Sequence, residues 1–399
     1  MTDKAVQRST VVVAPYAWVI LSVVYFASLA APLNQNKIPP ILPVLMHAFQ
    51  LNLLQAGSLM SVVAVGGLVL ALPAGILLQR FGSRAIGLIA LGCIAAGSAI
   101  GALAASYGSL LSSRMVEGIG IGLIGVVAPA TIAMWFPPAR QGMSMGIWAT
   151  WFPVGSVVMA FLAPAVAIAL GWRAVWWVGA GYALLILVIY GLLVHNPPDL
   201  PPAGFKDQAS PGLRKALANR DIWLLALEFA CFNLALASIA TYYPTFLNEV
   251  RGYPLGLAAF LASISGMVIL VSAPLAGWFS DRIGSRKLVI AIPFLVIAGL
   301  MILPFRVTGW QIIAIMLVQG LVAGAIPTAT FAAAPEVMRT PEWAGLGLAV
   351  VLVGQNISAL IGPVLFGGLV ENLGWVMAGY MMIPVCLLGF ISAWMVRIR

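Results

Sequence analysis

Charged residues are scarce in this chain of 399 residues, at 8%, whereas hydrophobic residues make up 62%. A soluble domain carries about 25% charged and about 45–50% apolar residues. A water-soluble globule of this composition would expose apolar area that it could not cover. Apolar runs of about 20 residues, each long enough to cross the hydrocarbon core as a helix, recur along the chain, and the alternating pattern of a membrane barrel is absent. The sequence therefore predicts an all-α integral membrane protein in contact with membrane lipid.

Cysteine is also rare, and the common catalytic and nucleotide-binding motifs of enzymes are missing. The three cysteines, Cys93, Cys231 and Cys386, lie inside apolar runs without a metal-binding spacing. The sequence contains no nucleotide-binding loop and no nucleophile elbow. The net charge of +9 comes from basic residues scattered at the ends of the apolar runs, so no nucleic-acid partner is expected. We expect no enzyme activity, catalytic residue, cofactor or metal.

The apolar runs number twelve and fall into two sets of six. The approximate spans are 16–46, 54–78, 85–105, 109–135, 142–170, 173–195, 222–248, 255–279, 288–305, 310–336, 343–370 and 375–396. Between the sets, residues 196–221 are rich in proline and charge and cannot bury a core, which is typical of a linker. We predict an N-terminal six-helix bundle at 1–195 and a C-terminal bundle at 222–399, with bends at the prolines of spans one and five.

Lysine and arginine predict the orientation. Only five of the 20 basic residues fall in or near the outer half of the spans when the N-terminus is placed in the cytoplasm: Lys37, Arg114, Arg173, Arg251 and Arg306. Cytoplasmic loops of membrane proteins carry an excess of these residues. We therefore expect an integral protein of the cytoplasmic (inner) membrane with both termini in the cytoplasm, and a monomer.

The second half of the chain repeats features of the first. The turn Gly75-Ile-Leu-Leu-Gln-Arg-Phe-Gly-Ser-Arg84 returns as Gly277-Trp-Phe-Ser-Asp-Arg-Ile-Gly-Ser-Arg286, 202 positions later. Glu117-Gly118 likewise corresponds to Gln319-Gly320, and Gly171-Trp172 to Gly374-Trp375. Because both halves begin on the same side of the membrane, the sequence predicts two parallel repeats related by an axis along the membrane normal.

These features together resemble the major facilitator superfamily over nearly the whole chain. The two turns are similar to the family pattern G-x-x-x-D-R-x-G-R-R/K, and Arg114-x-x-x-Gly118-x-Gly120 is similar to R-x-x-x-G-x-G. Gln79 stands where the family usually has Asp, whose carboxylate bonds across the interface between the halves. The neutral amide of Gln79 implies a weaker contact at the first turn. The resemblance implies a conformational-switch role, with simple anchoring of a tight turn as the alternative, for Gly75, Gln79, Arg80, Arg84, Gly277, Asp281, Arg282 and Arg286.

Within the superfamily, the sequences that follow Pro43 and Glu117 look more like the cyanate/nitroimidazole, oxalate–formate and anion–cation symporter branches than like the sugar or multidrug branches. This resemblance implies a small anionic substrate and a secondary transporter that works by alternating access. A proton-driven exporter of drugs or metabolites with the same architecture is the alternative, because abundant Met, Trp and Phe suit a tolerant apolar pocket. A receptor or scaffold without transport is a third, weaker interpretation.

The polar run Asn34-Gln35-Asn36-Lys37 lies inside span one. A charge within a bilayer is costly, and four consecutive polar residues cannot all face lipid. Span one lines the central cavity in the resembled family, which implies that Lys37, with Asn34 and Asn36, binds the substrate's negative charge. The alternative is a lysine that extends to the outer interface beside a loose turn.

Three further charged residues are candidates for proton coupling. Glu228 lies inside span seven, and burial favours the neutral, protonated form of a carboxylic acid. Arg114 and Glu117 are spaced i, i+3 on one face of span four and can form an ion pair; the family resemblance gives Arg114 a part in proton coupling. For all three residues the alternative is a structural role. Their heights in the membrane argue against direct pairing of Glu228 with Lys37.

Other polar or aromatic side chains of the spans complete the candidate substrate site. Aromatic residues pack more often than they bind ligands, whereas amides inside a spanning helix need polar partners. These further candidates are Trp151, Tyr242, Tyr243, Gln355 and Asn356.

Overall fold

The computed structural model describes residues 15–70, 73–195, 217–283, 285–338 and 344–398. Every regular element within these ranges is a helix. The α-helices are α1 Pro15–Gln35, α2 Leu42–Phe49, α3 Leu53–Leu70, α4 Pro73–Ala102, α5 Tyr107–Trp135, α6 Pro138–Ala149, α7 Trp151–Leu170, α8 Trp172–Leu193, α9 Arg220–Thr245, α10 Leu255–Ile283, α11 Arg286–Leu300, α12 Trp310–Ala323, α13 Ala325–Met338 and α14 Ala344–Met395. A 3₁₀ helix, Pro39–Ile41, separates α1 from α2, and a π-helical turn, Phe246–Val250, follows α9.

These helices form twelve membrane spans. Ten helical stretches of the described chain are long and apolar enough to cross a membrane. One of them, Leu346–Met395, is interrupted at Gly374, whose φ of 79° and ψ of 166° are not helical, so it supplies two spans. The shorter α11, of 15 residues, lies between the spans of α10 and of α12–α13 and completes the set. The predicted all-α fold with twelve spans is confirmed.

Prolines interrupt spans one and five, where the sequence predicts bends. The pair Pro39-Pro40 lacks backbone N–H donors, and α1 ends before it. In span five, the break between α6 and α7 lies at Thr150, three residues before Pro153, which has no N–H to donate to the preceding turn. Helix α7 continues through Pro164.

The two halves pack their second and fourth spans in the same way. A Cβ atom placed on Gly118 of α5 would lie 2.6 Å from the carbonyl oxygen of Val63 in α3. A Cβ atom on Gly320 of α12 would lie 2.5 Å from the carbonyl oxygen of Ser265 in α10. Both members of the second pair lie 202 positions after their counterparts. Helix backbones can approach this closely only where side chains are small, so the predicted internal repeat is also a repeat of packing.

We call the end of the bundle that holds Pro15 and Met395 the terminal face, and the other end the opposite face. An even number of spans brings both helix ends to the same face. Residues 196–216, most of the predicted linker 196–221, lie outside the described residues.

The halves meet along α3 and α14 and along α7 and α10, and they touch at the opposite face. His47 Nε2 at the end of span one lies 2.9 Å from Glu249 Oε1 at the end of span seven. The backbone N–H of Leu54 donates to Glu371 Oε1 over 3.1 Å. These contacts join the N-terminal half to the C-terminal half, so the structure is closed at the opposite face.

Candidate functional site

Lys37 lies at the break in span one. Helix α1 ends at Gln35, and residues 36–38 form a turn before the 3₁₀ helix Pro39–Ile41. The side chain of Lys37 is 0% exposed. The alternative of a lysine that reaches the outer interface is therefore wrong, since its ammonium lies inside the protein.

The Lys37 ammonium is surrounded by groups of the N-terminal half. Its Nζ donates to Asn34 Oδ1 over 3.0 Å, to Ser98 Oγ over 2.9 Å and to Glu117 Oε1 over 2.6 Å. It also lies 4.6 Å from the centre of the Trp176 ring, within the range of a cation–π contact. All three donors of the ammonium are used, so the group is held by α1, α4, α5 and α8.

Arg114 joins the same cluster from the other side of Glu117. Its Nη1 donates to the second carboxylate oxygen of Glu117 and, over 2.7 Å, to the carbonyl of Asn34. Its Nη2 donates to the carbonyl of Gln35 over 3.3 Å, and its Nε to the carbonyl of Leu59 over 3.2 Å. The last carbonyls of a helix have no partner within the helix. Arg114 therefore connects α5 to the C-terminal end of α1 and to α3.

The cluster of Lys37, Arg114 and Glu117 carries more positive than negative charge. All three side chains are 0% exposed. Within the described residues, Glu117 is the sole carboxylate within 4 Å of either cation. Two cations thus share one anion, so the cluster has a net charge of +1 at a depth where uncompensated charge is costly. The cluster is suited to a negatively charged ligand.

The cluster lies in the N-terminal half, next to the interface with the C-terminal half. The 3₁₀ helix Pro39–Ile41, which begins two residues after Lys37, packs on α7 and on α9 and α10. Asn36 Nδ2 donates to Ser156 Oγ of α7 over 2.9 Å. The turn at residues 36–38 therefore connects the buried charges with the surface between the halves.

Glu228 lies apart from this cluster, in the C-terminal half. Its side chain is 0% exposed, and Thr330 Oγ1 of α13 donates to its Oε1 over 2.5 Å. Its Oε2 is buried without a hydrogen-bond partner in the described part of the chain. Glu228 and Lys37 belong to different halves and bond to different partners. An isolated carboxyl group without a cation is suited to binding a proton.

The two candidate tyrosines of α9 have different surroundings. Tyr242 donates to the carbonyl of Leu53 in the other half over 2.5 Å and to the carbonyl of Pro363 over 2.9 Å. Tyr243 donates to the carbonyl of Pro304 over 3.2 Å, inside the C-terminal half. Tyr242 therefore contributes to the closed opposite face, whereas Tyr243 packs within one half.

The remaining substrate-site candidates belong to α7 and α14. Trp151 is half-buried and stacks on Trp148 at 5.7 Å. Asn356 Nδ2 donates to the carbonyl of Leu352 over 3.0 Å, and a Cβ atom on Gly67 of α3 would lie 2.9 Å from its Oδ1. The side chain of Gln355 is half-buried. Asn356 thus lies at the interface of the halves, beside α3.

In the N-terminal half, the predicted switch turn surrounds Gly82, whose φ is 77°. Arg84 Nη2 donates to the carbonyl of Gly191 over 2.5 Å, and the guanidinium of Arg80 lies 5.4 Å from the Phe81 ring. Gly75 and Gln79 belong to α4; the side chain of Gln79 lies outside the described part.

In the C-terminal half, the corresponding turn is held by an ion pair. Arg286 Nη2 lies 2.9 Å from Glu336 Oε1 of α13, and the guanidinium of Arg282 lies 5.5 Å from the Trp278 ring. Gly277 approaches α13, where a Cβ atom would lie 3.3 Å from Thr328. Asp281 belongs to α10, and its side chain is outside the described part.

Sequence reasoning missed three partners of the charged groups. Ser98 of α4 and Trp176 of α8 hold Lys37, and Thr330 of α13 holds Glu228. Ser98 also donates to the carbonyl of Trp176 over 2.7 Å, and this bond holds Ser98 and Trp176 next to each other. A lone serine or threonine in an apolar span is too common to be singled out without knowing which helices are neighbours.

Comparison with known proteins agrees with this architecture. The chain is 25% identical over 378 residues to a protein of Cupriavidus necator named as a probable sulfoacetate transporter, covering 89% of this chain and 87% of that one. It is 22% identical over 273 residues to the hexuronate transporter of Bacillus subtilis, covering 66% and 65%. It is 25% identical over 252 residues to a probable nitrate/nitrite antiporter of Thermus thermophilus, covering 60% and 56%.

Solved structures share the fold. The crystal structure of a D-xylose–proton symporter matches with a TM-score of 0.78 at 17% identity, covering 96% of this chain and 97% of that one. A bacterial homologue of the human lysosomal transporter Spinster, inward-facing and unoccupied, matches with a TM-score of 0.78 at 17% identity, covering 95% and 96%. The family model described as Major Facilitator Superfamily matches residues 24–340 and 257–399. The chain belongs to the Major Facilitator Superfamily and is a membrane transporter, not an enzyme.

Proposed function

We propose that the protein is a proton-coupled secondary transporter that moves a small organic or inorganic anion, of the monocarboxylate type, across the cytoplasmic membrane. Residues 1–195 and 222–399 would rock as two bundles joined by a cytoplasmic linker, 196–221, with both termini in the cytoplasm. The observation that carries the proposal is the buried cluster in which Lys37 and Arg114 share one carboxylate. The relatives are named as transporters of sulfoacetate, hexuronate and nitrate or nitrite, and these names support an anionic substrate.

The unbalanced charge accounts for substrate attraction. A charge inside a bilayer costs at least about 2.5–3.5 kcal/mol on insertion scales, so a site with one excess cation favours an anion that reaches it. The turn at residues 36–38 lies between this cation and the interface of the halves. Lys37 would bind the negative group by exchanging one of its three present hydrogen bonds for it, with Asn34 and Asn36 as polar neighbours.

Glu117 accounts for proton coupling. Both of its oxygens bond to cations, Oε1 to Lys37 and Oε2 to Arg114. Protonation of Glu117 would remove the cluster's negative charge and leave two cations, and a bound anion would restore the balance. Each ligand therefore favours binding of the other, as linkage requires. Proton and anion would travel together, which is symport.

Other candidate residues take secondary parts in this proposal. Glu228, with its free Oε2, is a second proton-binding group in the C-terminal half. Asn356 with Gln355, and Trp151, would contact the substrate from the interface, with Tyr243 supporting α9. Tyr242 would hold the opposite face closed. The turns at Arg84 and Arg286 would release their contacts at the terminal face when the halves rock.

Uptake into proteoliposomes tests the proposal. The panel is sulfoacetate, glucuronate and nitrate, with and without an inward proton gradient. We expect the gradient to drive accumulation of at least one anion, Lys37→Met to abolish it, and Lys37→Arg to retain part of it. Glu117→Gln should exchange the anion across the membrane without proton-driven accumulation. Full uptake by Lys37→Met, measured on protein of unchanged thermal stability, would remove Lys37 from the mechanism.

A further inference from the structure

An open cavity lies at the opposite face of the C-terminal half, away from the buried charge cluster. Its volume is about 430 Å³, it is largely open to the outside, and it is lined by the end of α9, the loop between α11 and α12, and the turn at Gly374. Most of its wall is apolar or aromatic, with Phe246, Phe305, Trp375 and Met377, and its one charged lining residue in the described chain is Arg251. Ligand sites for small molecules have volumes of about 300–1,000 Å³ and this kind of lining.

Arg251 is fixed in the wall of this cavity. Its Nη2 donates to the carbonyls of Phe305, over 3.2 Å, and Arg306, over 3.0 Å. Its guanidinium lies 5.3 Å from the Phe246 ring. Its Nε is buried and has no hydrogen-bond partner in the described chain. A buried donor on a charged group is costly when it is left unpaired, so the arginine is positioned but incompletely satisfied.

The charge around the cavity is positive. Neither Arg251 nor Arg306 has a carboxylate within 4 Å among the described residues. Arg306 follows the lining residue Phe305, and its guanidinium lies 5.1 Å from the Tyr380 ring. The acidic side chains Glu249 and Glu371 at this face are engaged elsewhere, by His47 and by the backbone of Leu54. Because two carbonyls already engage Arg251 Nη2, an oxyanion would bind this guanidinium through its remaining N–H groups, in a charge-assisted hydrogen bond.

We propose that this cavity binds an oxyanion attached to an apolar or aromatic group, through Arg251. The carboxylate of a small organic acid and the phosphate of an anionic lipid headgroup share this chemistry. The site is separate from the cluster around Lys37, which belongs to the other half, so its existence does not depend on the proposed transport mechanism.

A local fluorine probe tests the proposal. Met377 lines the cavity and is 44% exposed. It is changed to cysteine and tagged with a trifluoromethyl group, after the three native cysteines are replaced by alanine. Fluorine NMR then follows a titration with phenylacetate in detergent and, in a second arm, nanodiscs with phosphatidylglycerol against nanodiscs with phosphatidylcholine alone. The test variant is Arg251→Gln.

Arg173→Gln is the matched control. Arg173 lies at the same face of the N-terminal half, donates to a backbone carbonyl over 3.2 Å and lies 4.4 Å from the Trp172 ring, but does not line the cavity. We expect a saturable shift whose affinity falls about tenfold or more in Arg251→Gln and is unchanged in Arg173→Gln. A shift with phenylacetate identifies a soluble acid, and one with phosphatidylglycerol alone identifies a lipid. No saturable shift in either arm, or equal affinity in Arg251→Gln, overturns the proposal.

Discussion

Replacing Glu117 with glutamine should destabilise the protein strongly, and an anion should restore much of the loss. The change keeps the shape of the side chain but leaves Lys37 and Arg114 without a counter-ion in a site where all three residues are 0% exposed. A charge pair 4 Å apart is worth about 4 kcal/mol at an effective dielectric constant of about 20. Breaking a buried pair by removing one partner costs about 3–5 kcal/mol. We expect a loss in the free energy of unfolding of this size.

A bound anion supplies the missing negative charge. At 100 times its dissociation constant, a ligand that binds the folded state alone stabilises it by about 2.7 kcal/mol. Denaturant unfolding of the purified protein in detergent, with and without the transported anion, measures both effects. Glu336→Gln is the control, because Glu336 is 47% exposed and its pair with Arg286 should be worth about 0–1 kcal/mol. Equal stability of Glu117→Gln and Glu336→Gln, or equal stabilisation of both by the anion, would refute the reasoning.

Three further predictions use single substitutions. Gly118→Ala should cost about 1–3 kcal/mol in unfolding experiments, because its Cβ would meet a neighbouring backbone, whereas Gly125→Ala should cost nothing, since its Cβ would meet no atom within 4 Å. Tyr242→Phe removes a hydrogen bond between the halves worth about 1 kcal/mol. It should raise about fivefold the population of molecules whose halves are separated at the opposite face, measured from distances between spin labels. Tyr243→Phe should leave this population unchanged. Glu228→Gln should change unfolding free energy by less than about 1 kcal/mol, because no cation depends on Glu228; a loss as large as that of Glu117→Gln would contradict this.

The fold could be predicted from the sequence because it depends on local properties. The length of each apolar run predicts a span, and the pair Pro39-Pro40 predicts the break in span one since proline lacks an N–H. The repeat around Gly118 and Gly320 predicts that the halves pack alike. The ion pair of Arg114 with Glu117 also follows from their spacing on one helix face.

The surroundings of Lys37 could not be predicted in the same way. Its partners Ser98, Glu117 and Trp176 lie 61 to 139 positions away in the sequence, and which of them it meets depends on how α4, α5 and α8 are rotated about their axes. The polar run in span one predicts that Lys37 avoids lipid. It does not distinguish a side chain in the central path from one inside the N-terminal half, where the structure places it.

Proton uptake on anion binding is the most direct test of the account. The purified protein is mixed with the transported anion in weakly buffered solution, and an indicator dye follows the pH. The account predicts that wild-type protein takes up close to one proton for each anion bound at a pH where Glu117 starts ionised, and that Glu117→Gln binds the anion without taking up a proton. Anion binding by wild-type protein with no proton uptake at any pH, or with the same uptake in Glu117→Gln, would contradict it.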